Sequence, residues 1–247
     1  MLPLLSLSAI SKRFESGTQA IGRLDLAVAD AEFVALVGPS GCGKSTALRI
    51  VAGLLTPDGG TVAFPNGRPQ IGFVFQEPTL MPWASALANA RLPLDLKGVP
   101  RGEADARAAG ALARVGLGGF EKAFPRELSG GMKMRVSIAR ALAAAPALLL
   151  MDEPFAALDE MTRQALNDDL LKLWAEDGLT VLFVTHSIYE SAYLSSRVVV
   201  MTPRPGRVAE EIVLAAPAAR NEAWRLSPGF AAEAARVSAA LKRAMAA

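Results

Sequence analysis

The sequence predicts an α/β fold in which short buried strands build one sheet and a helical lobe interrupts them. Three observations carry this. The apolar run Phe33-Val34-Ala35-Leu36-Val37 leads directly into the glycine-rich stretch from Gly38 to Ser45, and a helix-like segment follows at once. Further apolar runs of strand length recur at Ile71 to Phe75, Leu148 to Met151, Val181 to Thr185 and Arg197 to Met201. Between Pro82 and Ser129 such runs vanish, and Gly102 to Val115 is rich in Ala, Arg and Glu, as a surface helix is.

The elements follow in order. Met1-Leu2-Pro3-Leu4-Leu5 lacks a basic leader and a small-residue cleavage site, and reads as a first strand rather than a signal peptide. Alternation of Leu24, Leu26 and Val28 predicts a half-buried strand, whereas Phe33 to Val37 has the unbroken apolar character of a fully buried one. Lys44 to Ala52 is expected to be helical and to stop at Gly53. Later helices are expected at Met132 to Ala144 and Glu160 to Glu176. After Ala215, the residues Phe230, Ala234, Val237, Leu241 and Met245 fall at helical spacing. They suit a tail helix packed on its own domain, or alternatively a docking surface. The domain reading is therefore a core over residues 1–214, with a helical lobe inserted at about 82–130, and a helical tail over 215–247.

Composition bounds the function. The chain has 247 residues, 51% of them hydrophobic, enough for one large domain with a substantial core. A net charge of +2, without any block of five like charges, points to neither nucleic acid nor an acidic surface. A single cysteine, Cys42, excludes an internal disulfide. The longest apolar stretch, Ala141 to Met151, is broken by Pro146 and is shorter than the roughly 20 residues that span a bilayer. The chain is not expected to cross a membrane by itself.

Gly38-Pro39-Ser40-Gly41-Cys42-Gly43-Lys44-Ser45, continued by Thr46, fits the pattern G-x-x-x-x-G-K-[ST] between strand and helix. In such a loop, glycines let backbone N–H groups surround phosphate oxygens, and the helix N-terminus adds positive potential. Lys44 would neutralise β- and γ-phosphates, and the Ser45 hydroxyl would ligate Mg²⁺. Cys42 is either a small filler or, near Lys44 and a helix start, a thiol of lowered pKa. Asp152 and Glu153 follow the run Leu148 to Met151, at the strand end where α/β sheets bind ligands. Asp152 would support the metal, and Glu153 would orient or deprotonate the attacking water. His186, the only histidine, ends another apolar run and is expected at the γ-phosphate. Gln76 ends a third run and can reach metal or water. Phe14, in the loop-like Lys12 to Gly17, either stacks on adenine or is a peripheral core residue.

Leu128-Ser129-Gly130-Gly131, lying between the phosphate loop and the carboxylates, has no evident task in its own chain. With it, the sequence resembles the ATP-binding subunit of an ABC transporter over roughly residues 4 to 214. The resemblance implies a P-loop NTPase core of ABC ATPase type, with an antiparallel β edge region and the inserted helical lobe. It implies ATP and Mg²⁺ as cofactors and a homodimer in which Ser129, Gly130 and Gly131 cap the nucleotide held by the opposite chain. Ala157-Leu158-Asp159 matches the loop that crosses that interface.

Phe75-Gln76-Glu77-Pro78, Leu80-Met81-Pro82-Trp83, Met132 and the run Pro203-Arg204-Pro205-Gly206-Arg207-Val208 are similar to the nitrate/sulfonate/taurine importer branch. By that likeness, residues near Gln76 to Trp83 would contact an integral-membrane permease, unless Trp83 belongs to the core of the lobe. An extracytoplasmic solute-binding protein would take part indirectly, no nucleic acid is involved, and the chain would sit peripherally on the cytoplasmic face of the inner (plasma) membrane. The alternative is a soluble ABC-type ATPase uncoupled from transport. Ala31 stands where the family has glycine, a harmless turn change, and Ser187 replaces an aspartate that follows the histidine.

Overall fold

A computed structural model describes residues 2–217 and 219–246. The chain divides into two compact units, one formed by Met1–Pro69 with Asp177–Ala247, the other by Gln70–Glu176.

In the first unit, β1 (Leu5–Arg13), β2 (Gln19–Val28), β3 (Phe33–Val37), α1 (Lys44–Ala52) and β4 (Gly59–Ala63) precede the segment that forms the second unit. In that second unit the elements are β5 (Ile71–Val74), α2 (Ala86–Leu96), α3 (Arg101–Arg114), α4 (Gly130–Ala143), β6 (Leu148–Asp152) and α5 (Glu160–Asp177). The first unit resumes with β7 (Thr180–Val184), α6 (Ile188–Leu194), β8 (Arg197–Met201), β9 (Gly206–Val213), α7 (Glu222–Arg225) and α8 (Pro228–Ala246).

The strands of the first unit lie in the order β4-β1-β2-β9-β8-β3-β7. Antiparallel pairing of β1 with β4 and with β2 forms the expected edge region, and β3 runs parallel to both β7 and β8. Every residue of β3 and β7 is buried, which is why these strands read as unbroken apolar runs. In β2, Leu24, Leu26 and Val28 are buried while Arg23, Asp25 and Ala27 are exposed, the alternation of a strand with one wet face. Helix α1 spans its expected residues and ends at Gly53, whose φ of 75 forms a left-handed cap.

Helix α8 packs against α6, β8 and β9. Its buried stripe begins as expected at Phe230, Ala234 and Val237, then passes to Ala240 and Ala244. Met245 is instead 58% exposed, because a 3.6-residue period brings Ala244, not Met245, back beneath Val237 and Ala240.

In the second unit, β5 and β6 pair in parallel, and α2 and α3 fall inside the stretch expected to be helical. Ser85 caps α2 by accepting from Ala88 N–H at 3.3 Å. Arg91 on α2 binds Asp95 and also Asp105 on α3, tying the two helices together. No helix among the described residues is long and apolar enough to cross a membrane.

Candidate nucleotide site

The phosphate loop leaves the carboxyl end of β3 and enters α1 directly. Gly43 has φ of 101, and a Cβ there would lie 2.8 Å from the Ala20 carbonyl oxygen of β2. Glycine is required at this position by both backbone angle and close approach. Lys44 is only 5% exposed, and its ammonium donates to Gly38 O at 2.8 Å and Pro39 O at 3.2 Å. The loop therefore carries its own cation, folded inward on its carbonyls. Ser45 and Thr46 are half-buried in the first turn of α1, and Ser40 and Gly41 face solvent.

At Cys42 the filler reading holds. The thiol is 1% exposed, and burial pushes its pKa up despite the opposing pull of Lys44. A helix start and a nearby cation suggested activation, but burial is the larger effect, so the residue is a filler.

Because β3 and β7 are adjacent and parallel, with Leu36 opposite Val184, the phosphate loop and the Thr185-His186 pair emerge at the same sheet edge. His186 is exposed there, next to a capped turn. Thr185 Oγ1 donates to the buried Glu190 carboxylate, Ser187 N–H donates to Thr185 Oγ1 at 3.0 Å, and Ser187 Oγ accepts from Glu190 N–H at 3.2 Å. Ser187 thus caps α6, a role that either serine or aspartate fills. Phe14 lies in the loop between β1 and β2 and is 40% exposed, which removes the peripheral-core reading.

In the second unit the same topological rule applies. Val74 of β5 pairs with Met151 of β6, so Gln76 and the Asp152-Glu153 pair leave one edge together. Asp152 is 6% exposed at the end of β6, Glu153 is half-buried and Gln76 exposed. Glu153 holds φ of 47, a left-handed angle that the sequence did not signal. Ser129 caps α4 through Met132 N–H at 3.2 Å, and Ser129 and Gly130 face solvent while Gly131 is buried near Thr162. Asp159 caps α5, and hydrogen bonds from Thr162 hold its carboxyl below the usual range.

Sequence reading missed a polar cradle under the segment after Gln76. The buried Asn89 accepts from Met81 N–H at 2.8 Å and from Arg140 Nη2 at 2.7 Å, and its amide donates to Ala84 O at 2.9 Å. Arg140 also donates to Thr79 O at 3.1 Å. The segment is pinned from beneath, and Trp83 projects from it at 77% exposure, so Trp83 is not lobe core. An Asn and an Arg 51 residues apart leave no local trace that would pair them.

A strand, a glycine loop with an internal lysine and a helix define a P-loop nucleotide-binding protein of α/β class. The comparisons with known proteins narrow the class. Residues 21–156 match the ABC transporter family. The chain is 47% identical over 237 residues to a Brucella abortus protein named only for ATP binding, covering 94% of this chain and 91% of that one. It is 40% identical over 216 residues to the taurine import ATP-binding protein of Yersinia pestis, covering 85% and 84%. Among solved structures, a dimeric ATP-binding cassette in a post-hydrolysis state with ADP and inorganic phosphate superposes with TM-score 0.75 and 35% identity, over 86% of this chain and all of that one. A Clostridium perfringens cassette described as part of an ABC transporter complex gives TM-score 0.76 and 29% identity, over 85% and 88%. The chain belongs to the ABC transporter family, and within it is an ATP-hydrolysing subunit.

Proposed function

We propose that two copies of this chain close head to tail around two MgATP and drive a separate membrane permease importing a small anionic or zwitterionic solute, of the nitrate, sulfonate or taurine kind. The observation that carries the dimer is the solvent-exposed pair Ser129-Gly130 at the start of α4. A helix N-terminus with exposed hydroxyl and backbone donors suits the terminal phosphate of a nucleotide held by a second chain. The dimeric cassette that superposes on this chain supports the same reading.

In this scheme Lys44 leaves the Gly38 and Pro39 carbonyls for the β- and γ-phosphates, and Phe14 stacks on adenine. Glu153 takes the proton of the attacking water, while Gln76 and His186 hold that water and the γ-phosphate. Asp159 braces the crossing between the two chains. Ser45, Asp152 and Gln76 supply oxygen donors, the chemistry Mg²⁺ prefers. No cluster of three or more His, Cys, Asp or Glu forms a metal site among the described residues, so phosphate and water would complete the shell. When bound, Mg²⁺ neutralises charge on the phosphates.

The pinned segment bearing Trp83 is the surface offered to the permease. A permease helix seated there would feel any movement of Gln76, seven residues earlier in the chain.

The chemistry is tested by Glu153→Gln. ATP affinity is expected to survive and turnover to fall by more than tenfold, on the order of 1.4 kcal/mol of barrier or more. A smaller loss would mean that Glu153 is not the principal base.

A further inference from the structure

The run Pro203-Arg204-Pro205-Gly206-Arg207 takes no part in the chemistry above. It forms the turn from β8 into β9, closed by Thr202 N–H to Arg207 O at 2.9 Å and by Arg207 N–H to Thr202 Oγ1 at 3.1 Å. This turn lies on the phosphate loop. Arg204 Nε donates to Gly41 O at 3.1 Å, and a Cβ built on Gly41 would meet Arg204 Nη2 at 2.6 Å. At Gly206 a Cβ would stand 1.8 Å from the Cys42 carbonyl oxygen, so no larger residue lets the turn come so close.

The contact bears on how the loop keeps its shape. A peptide is planar, so a donor that fixes Gly41 O also fixes the orientation of the Cys42 N–H. That N–H donates to Pro39 O at 3.2 Å, closing the turn at the head of the loop. Lys44 grips Gly38 O and Pro39 O, but a lysine that moves to a phosphate releases those carbonyls. Arg204 grips the loop from outside through a different carbonyl, and that grip is independent of where Lys44 points. The planar guanidinium donates along fixed directions.

We infer that Arg204 is a positioning residue for ATP binding, acting through the Gly41 carbonyl to hold the phosphate loop in its receptive shape. It touches no substrate in this account, so its removal weakens nucleotide capture and spares the chemical step.

The test compares full-length wild type, Arg204→Ala and Arg204→Lys by equilibrium titration with MgADP and by steady-state ATP hydrolysis. Loss of one charge-assisted hydrogen bond at an exposed position is expected to weaken MgADP binding by about three- to tenfold. KM for ATP should rise by a similar factor while kcat stays within about twofold, and lysine should recover more than half of the lost affinity. Thermal melting controls for folding; if alanine lowers it by more than a few degrees, Arg204→Gln, which keeps a donor without the charge, replaces alanine. Unchanged MgADP affinity would overturn the proposal, as would a fall in kcat with KM unmoved. A lysine variant no better than alanine would overturn it equally.

Discussion

Ala31 and Glu153 hold φ of 55 and 47, left-handed angles that cost an L-residue roughly 1–2 kcal/mol. At Ala31 the N–H donates to Thr180 Oγ1 at 3.0 Å, which fixes the turn before β3. The change from the family's glycine is therefore not harmless, since alanine bears strain that glycine would not. Ala31→Gly is expected to stabilise the chain by about 0.5–1 kcal/mol after the extra freedom of glycine in the unfolded state is set against that strain. Denaturant unfolding measures it, and a destabilised variant would contradict the reading. At Glu153 the same angle falls on the proposed base, where strain is more readily kept. The placement of Lys44 at the start of α1 and of Asp152 and Glu153 at the end of β6 was legible because each sits in a short contiguous pattern. Arg204 was not, since its partner Gly41 is 163 residues away. At Cys42 the sequence left filler and activated thiol both open, because local sequence shows the charged neighbour but not the depth of burial.

At the scale of elements, hydrophobic period did most of the predictive work. The alternation of β2 and the unbroken runs of β3 and β7 were legible because burial on one face or two leaves different patterns. Shorter or less regular elements escaped. Helix α6 is seven residues long, and β9 buries only Gly206 and Ile212 of its eight residues. The tail is held by aromatic packing rather than by its stripe alone. Phe230 meets the rings of Tyr193 at 6.1 Å and of Tyr189 and Trp224 at 6.2 Å, and Arg225 lies over the Tyr193 ring. Arg220 donates to Tyr193 O at 2.7 Å. The tail thus clamps α6, the helix that begins just after His186. Phe230→Ala is expected to cost about 3 kcal/mol in chemical unfolding, in the range for deleting a buried aromatic ring. A cost below about 1 kcal/mol would show that the tail adds little to the fold.

For the molecule as a whole, the division of labour follows the two units. One carries Lys44, Ser45 and His186, and the other carries Gln76, Ser129, Asp152 and Glu153. Ser129 caps α4 in its own chain and faces solvent, which is the reason a second chain enters the account. Closure by nucleotide follows if interface energy becomes available only when nucleotide is bound, so mass action links ATP to assembly. Blocking hydrolysis should then trap the closed state. The most direct measurement is the mass of purified Glu153→Gln protein by light scattering, with and without MgATP. The account predicts a doubling of mass that appears only with MgATP. An unchanged monomer mass with MgATP bound would contradict it.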